Sequence, residues 1–165
     1  MLFVTMSCSD NKNKTKKPTN PITIKMVTHG QATDPFWSVV RNGAKDAAES
    51  LGINFNYQSP QNFDMIAMSQ IIDAVISTNP DGLIVSVPDL SALKKSIRSA
   101  SKKGIPIIVI NSGIDIMEEV KILTYVGQSE YEAGMKAGEE LLKYNITTAL
   151  CVNHEIGNIS LDQRE

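Results

Sequence analysis

From Ile22 onward the chain alternates short apolar, β-branched runs with longer segments of helical period. The run ITIKMVTH at 22–29 predicts a strand. Residues 35–51 follow as a helix, with Pro35 at N1, where its missing N–H costs nothing, and Gly52 as the C-terminal stop. INFNYQS at 53–59 predicts a second strand. Over 62–78, Met65, Met68, Ile72, Val75 and Ile76 recur among polar residues at helical spacing, which makes an amphipathic helix ended by Asn79-Pro80. GLIVSV at 82–87 is a third strand, and Asp89 can cap a helix running to Lys103 that Gly104 closes. PIIVIN at 106–111 is a fourth strand, almost wholly apolar as a central parallel strand should be. ILTYVG at 122–127 is a fifth, and the next helix covers 129–144. Its Ala133, Gly134, Ala137 and Gly138 form a small-residue face suited to close packing on the sheet. TTALCVN at 147–153 predicts a sixth strand, with a helix beginning near Ser160.

This alternation predicts an α/β fold, a doubly wound parallel sheet with helices on both faces. The repeats fill one domain, 22–145, and residues 146–165 hold only the beginning of a second, so the chain reads as cut shortly after that domain starts. Residues 1–21 differ from both. MLFVTM is apolar but too short to span a bilayer, and the Lys- and Asn-rich SDNKNKTKKPTNP cannot bury enough apolar surface to offset its ordering entropy, so it predicts a disordered tether. An apolar stub, Ser7, Cys8 and a polar linker resemble the end of a bacterial lipoprotein signal, which implies a lipidated Cys8. Thr5 and the bulky Met6 depart from that pattern, and the alternative is an unprocessed tail with an idle Cys.

Composition narrows the class of partner. With 42% hydrophobic residues over 165 positions the chain can bury a core. Sixteen basic residues against 18 acidic ones give a net charge of −2, which supplies no positive field for nucleic acid and points to a small ligand. Neither Cys8 nor Cys151 forms a CxxC pair or stands at metal-ligand spacing with His29 or His154, so no metal or cofactor is expected. Cys151, inside an apolar run, reads as a buried core thiol.

Open parallel sheets bind ligands beyond the carboxyl ends of their strands. Those ends carry His29 to Asp34, Ser59 to Asn62, Ser86 to Asp89, Asn111 to Gly113 and Gly127-Gln128. Apart from two aspartates the set is uncharged, which suits a neutral, hydroxylated ligand held by amides, hydroxyls and aromatic faces. No GxGxxG, GxxxxGK[ST] or GxSxG is present, so neither a nucleotide site nor a hydrolase nucleophile is indicated. His29, with no evident orienting carboxylate, reads as a structural hydrogen-bonder and not as a base. An enzyme is not expected.

Taken in order, VTHGQATDPFWSVVRNGAKDAAESLG, DGLIVSVPDLSALKKSI, GIPIIVINSG and YVGQSEYEAGMKAGEEL resemble the ribose-type periplasmic sugar-binding proteins that feed ABC transporters. The resemblance covers about residues 22–165. It implies two similar lobes closing on a sugar, the first of them a flavodoxin-like sheet, and aromatic rings after the first strand that stack on the ligand. Asp34, Phe36 and Trp37 match the family's polar residue and its two aromatics, Ser86 matches a polar contact after the third strand, and Arg164 matches the second lobe's binding Arg. Asn111 and Ser112 stand where ribose binders carry an Asp-Arg pair, so ribose itself is not implied. Sugar rings have apolar C–H faces and polar edges, which flat aromatics and amides complement. Adjacent helical residues point about 100° apart, so one of Phe36 and Trp37 can pack in the core instead.

The expectation is a monomeric receptor for a monosaccharide or polyol in the periplasm or on the outer face of the cytoplasmic membrane. It would deliver its ligand to an ABC transporter permease and touch the membrane only through a lipid on Cys8. The rival is the effector domain of a sugar-responsive transcription regulator. That would require a helix-turn-helix before Ile22, where residues 1–21 lack helical period.

Overall fold

The computed structural model describes residues 21–31 and 33–164, so the apolar stub, Cys8 and nearly all of the tether lie outside the described residues. Five parallel strands form one sheet: β1 (Thr23–Val27), β2 (Asn54–Gln58), β3 (Gly82–Val85), β4 (Ile107–Ile110) and β5 (Thr124–Val126). Their order is β2-β1-β3-β4-β5, the flavodoxin-like arrangement, and it reverses between β1 and β3. The helices are α1 (Pro35–Leu51), α2 (Met65–Ser77), α3 (Leu90–Lys102), α4 (Glu130–Leu142) and the single turn α5 (Ile159–Asp162).

Helix starts follow from capping chemistry. Asp34, Asp64, Asp89, Ser129 and Asn158 each accept a backbone N–H of the first turn that would otherwise lack a partner. Asp64 explains why α2 begins at Met65 and not at residue 62. Gly52 ends α1 in the left-handed region at φ 66, open to glycine at no steric cost.

The strands sort their side chains by parity. Val27, Leu83, Val85, Ile107 and Val109 pack against Met68, Ile72, Leu93 and Ile97 of α2 and α3, forming the sealed core. Ile24, Ile84 and Ile108 point to the other face, where with Ala44 and Ala48 of α1 they line a largely apolar hollow of about 290 Å3. That hollow has almost no polar groups to hold a hydroxylated ligand.

Three expectations fail beyond β5. Residues 147–153 form no strand, and Cys151 is exposed and not a core thiol. The sheet ends at β5, and among the described residues no strand lies beside this run to satisfy its backbone. The small-residue face of α4 does not pack on the sheet either. Ala137 and Gly138 are exposed, and Gly134 is approached by the Arg164 carbonyl.

Candidate ligand-binding site

The strand ends and helix starts meet on one side of the sheet, at the point where strand order reverses. β1 runs into His29, which is 2% exposed. Its backbone N–H donates to Ser86 Oγ at 3.0 Å, and its Nδ1 lies 2.8 Å from the same oxygen. The geometry is satisfied when the Ser86 hydroxyl donates to Nδ1, leaving Nε2–H to face Glu155 Oε2 at 3.4 Å. His29 therefore has an orienting carboxylate, contrary to the sequence expectation. Glu155 arrives from a distant segment, and His29 remains a buried structural link.

The His29 ring meets Trp37 edge-on at 5.0 Å and 77°, and Phe63 at 5.8 Å and 83°. Trp37 is only 3% exposed. Its indole lies on Gly30, where any Cβ would overlap Nε1, so glycine is required there by close approach. Phe36, its neighbour on α1, is 54% exposed and stands edge-to-face on Trp37 at 5.1 Å and 89°. The two rings thus divide the roles: Trp37 is the packed floor and Phe36 the open face. Asp34 fixes both, since its Oδ1 accepts from Phe36 N at 2.7 Å and Trp37 N at 3.4 Å.

β4 ends in Asn111, whose φ of 63 turns the chain sharply. Its carbonyl accepts the Tyr125 hydroxyl at 2.6 Å, and its side-chain oxygen accepts from Ser112 Oγ at 2.8 Å. β5 leads to Glu130 in the first turn of α4, a carboxylate 7% exposed. Its Oε2 accepts from Arg164 Nε at 2.5 Å and pairs with a terminal nitrogen of the same guanidinium, while Gln128 Nε2 donates to Oε1 at 3.2 Å.

Glu155 is joined to the buried Asn158, whose Nδ2 donates to its Oε2 at 2.7 Å. Burial opposes ionisation of Glu155, but the hydrogen bonds it accepts from His29 and Asn158 outweigh it. The carboxyl is held below its ordinary pKa. Asn158 also caps α5, and Ile159 N–H donates to Pro88 O at 3.0 Å, which ties this last segment to the loop after β3.

These groups enclose a cavity of about 270 Å3. Asp34, Phe36, Trp37, Asn111, Ser112 and Arg164 all line it. Ser86 does not; it is fully buried beneath His29 and acts through that ring. His29, Glu130, His154, Glu155 and Asn158 also border the cavity, and sequence reasoning did not bring them to it as ligand contacts. The site is accordingly more charged than its strand-end residues suggest. Glu130 was visible only as an acidic residue at a helix start, and Glu155 and Asn158 only as part of the segment NHEIGN. A second hollow of about 540 Å3, sharing Phe36, Trp37, Asn111, Glu130 and Arg164, continues toward Val126 and Gly127. Among the described residues no group of three or more His, Cys, Asp or Glu is placed to hold a metal ion.

A family profile described as the periplasmic binding protein domain matches residues 24–161, from β1 into α5. The chain belongs to this family. A carbohydrate transporter from Acidothermus cellulolyticus, solved in complex with myo-inositol, is 34% identical with a TM-score of 0.82, over 88% of this chain and 50% of its own. A periplasmic sugar binding protein of an ABC sugar transporter from Legionella pneumophila is 30% identical with a TM-score of 0.81, over 87% and 53%. The xylose/arabinose-binding protein XylF of Sulfolobus acidocaldarius is 29% identical over 117 residues, 67% of this chain and 29% of XylF. The chain thus spans about half the length of the two matched structures and under a third of XylF. By their names these relatives of the periplasmic binding protein domain are binding and transport proteins, not enzymes.

Proposed function

We propose that this chain carries the first lobe of an extracytoplasmic receptor that captures a monosaccharide or cyclic polyol and delivers it to an ABC transporter permease. One observation carries the reading: a half-exposed aromatic ring, Phe36, stands at a cavity whose other walls include Asp34, Asn111, Ser112 and Arg164. An aromatic face buries the C–H side of a sugar ring while carboxylate, amide, hydroxyl and guanidinium groups pair with its hydroxyls. At about 270 Å3 the cavity lies just below the range of about 300–1,000 Å3 usual for ligand pockets, which suits a single small ring. The similarity to a carbohydrate transporter solved with myo-inositol and to a protein named for xylose and arabinose supports the same class.

In this reading residues 22–145 form the first lobe, 146–165 begin the second, and the receptor works as a monomer in the periplasm or on the outer face of the cytoplasmic membrane, held there by a lipid on Cys8. Isothermal calorimetry on the complete protein with pentoses, hexoses and inositols should show reversible one-to-one binding without turnover. Absence of binding across the panel, or chemical conversion of a bound sugar, would overturn it. For the anchor, a Cys8→Ser protein that stays membrane-bound and lipid-labelled would count against Cys8.

A further inference from the structure

Glu130 is a carboxylate in the wall of a hydroxyl-binding cavity, yet its charge is consumed by Arg164, the one Arg that borders that cavity. Two features of α4 cooperate in this. The missing Cβ of Gly134 leaves room for the Arg164 carbonyl, and Glu130, one turn earlier on the same helix, takes the guanidinium. Gly134 and Glu130 therefore seat a single residue, by its backbone and by its side chain. A buried carboxylate persists only when paired in this way.

We propose that Glu130 sets the charge selectivity of the cleft, an inference that rests on the sugar-receptor reading. An unpaired Arg in such a cavity would form a two-pronged bond with any carboxylate or phosphate. Glu130 occupies one edge of that fork and leaves the remaining N–H groups to donate singly to hydroxyl or ring oxygens. It also keeps the lining acidic: Asp34, Glu130 and Glu155 against Arg164 give a formal charge of 1 − 3 = −2 with both histidines neutral. Uncharged sugars and polyols are accepted, and sugar acids and sugar phosphates are repelled.

The test compares the complete wild-type protein with Glu130→Gln by calorimetry, using glucose and myo-inositol as neutral probes and glucuronate as an anionic one. Wild type should bind a neutral probe and take glucuronate at least about tenfold more weakly; Glu130→Gln should narrow that ratio about tenfold, most strongly at low salt. A merely structural role for Glu130 would weaken both probes in proportion, and an unchanged ratio overturns the inference while leaving the receptor reading intact. If no probe of any kind binds wild type, the reading falls and the inference with it. Should Glu130→Gln not fold, Arg164→Lys serves instead. It keeps a cation beside Glu130 but removes the planar fork that grips a carboxylate, so discrimination against glucuronate must persist or increase, and a relaxed ratio is the overturning result.

Discussion

Phe36→Ala and Trp37→Ala remove adjacent rings from the same helix and should have opposite consequences. Trp37 is 3% exposed, lies on the Gly30 backbone and makes edge contacts with His29 and Phe36. Truncating a Trp buried this fully costs about 3–5 kcal/mol. Phe36 is 54% exposed, so it forfeits about half of the 1.5–3 kcal/mol that full burial of a Phe contributes, or about 1 kcal/mol. In a domain of this size each kcal/mol moves the melting temperature by about 2–4 °C. Trp37→Ala should therefore melt about 6–20 °C below wild type, and Phe36→Ala about 2–4 °C below. Thermal denaturation followed by circular dichroism on the complete protein reads the first effect, and calorimetry with the bound sugar reads the second. Phe36→Ala should keep its fold and lose about 1 kcal/mol or more of binding. A Trp37→Ala protein melting within about 2 °C of wild type, or a Phe36→Ala protein melting lower than Trp37→Ala, would refute the division of the rings into floor and face.

Gly30→Ala should destabilise by about 1–3 kcal/mol, because its Cβ and the Trp37 indole cannot occupy the same space; urea midpoints equal to wild type would contradict this. Arg164→Lys should weaken sugar binding by about 1–3 kcal/mol, since an ammonium cannot reproduce the planar fork that pairs with Glu130 while donating elsewhere, and unchanged calorimetric affinity would count against it. Glu155 has a depressed pKa, so the stability that its ionisation adds is complete above the ordinary glutamate value and is lost as pH falls through the lower, folded-state value. Wild type should thus exceed Glu155→Gln in stability at neutral pH, with the gap closing on acidification; a gap that stays constant down to about pH 3 would exclude this linkage.

What the sequence determined alone was whatever depends on neighbours a few positions apart. The predicted helix 35–51 is the observed Pro35–Leu51, because proline at N1, the Asp34 cap and a left-handed Gly52 are local devices that need no partner from elsewhere. The first five strands lie within their predicted ranges, since an apolar, β-branched run between helices has one place to go in a doubly wound sheet. The run at 147–153 has the same character and forms no strand, because a strand exists only where another backbone offers it hydrogen bonds. The site divides along the same line. Asp34, Asn111 and Ser112 follow directly from strand ends, whose position at the mouth of the sheet is a consequence of topology, whereas Phe36 and Trp37 are indicated by the family resemblance. Tertiary structure alone decided that Trp37 is floor and Phe36 face, that Ser86 serves His29, that Glu155 completes the His29 link, and that Gly134 makes room for the Arg held by Glu130. Charge pairing and close backbone approach depend on distances through space, which residues far apart in the chain acquire only when it folds.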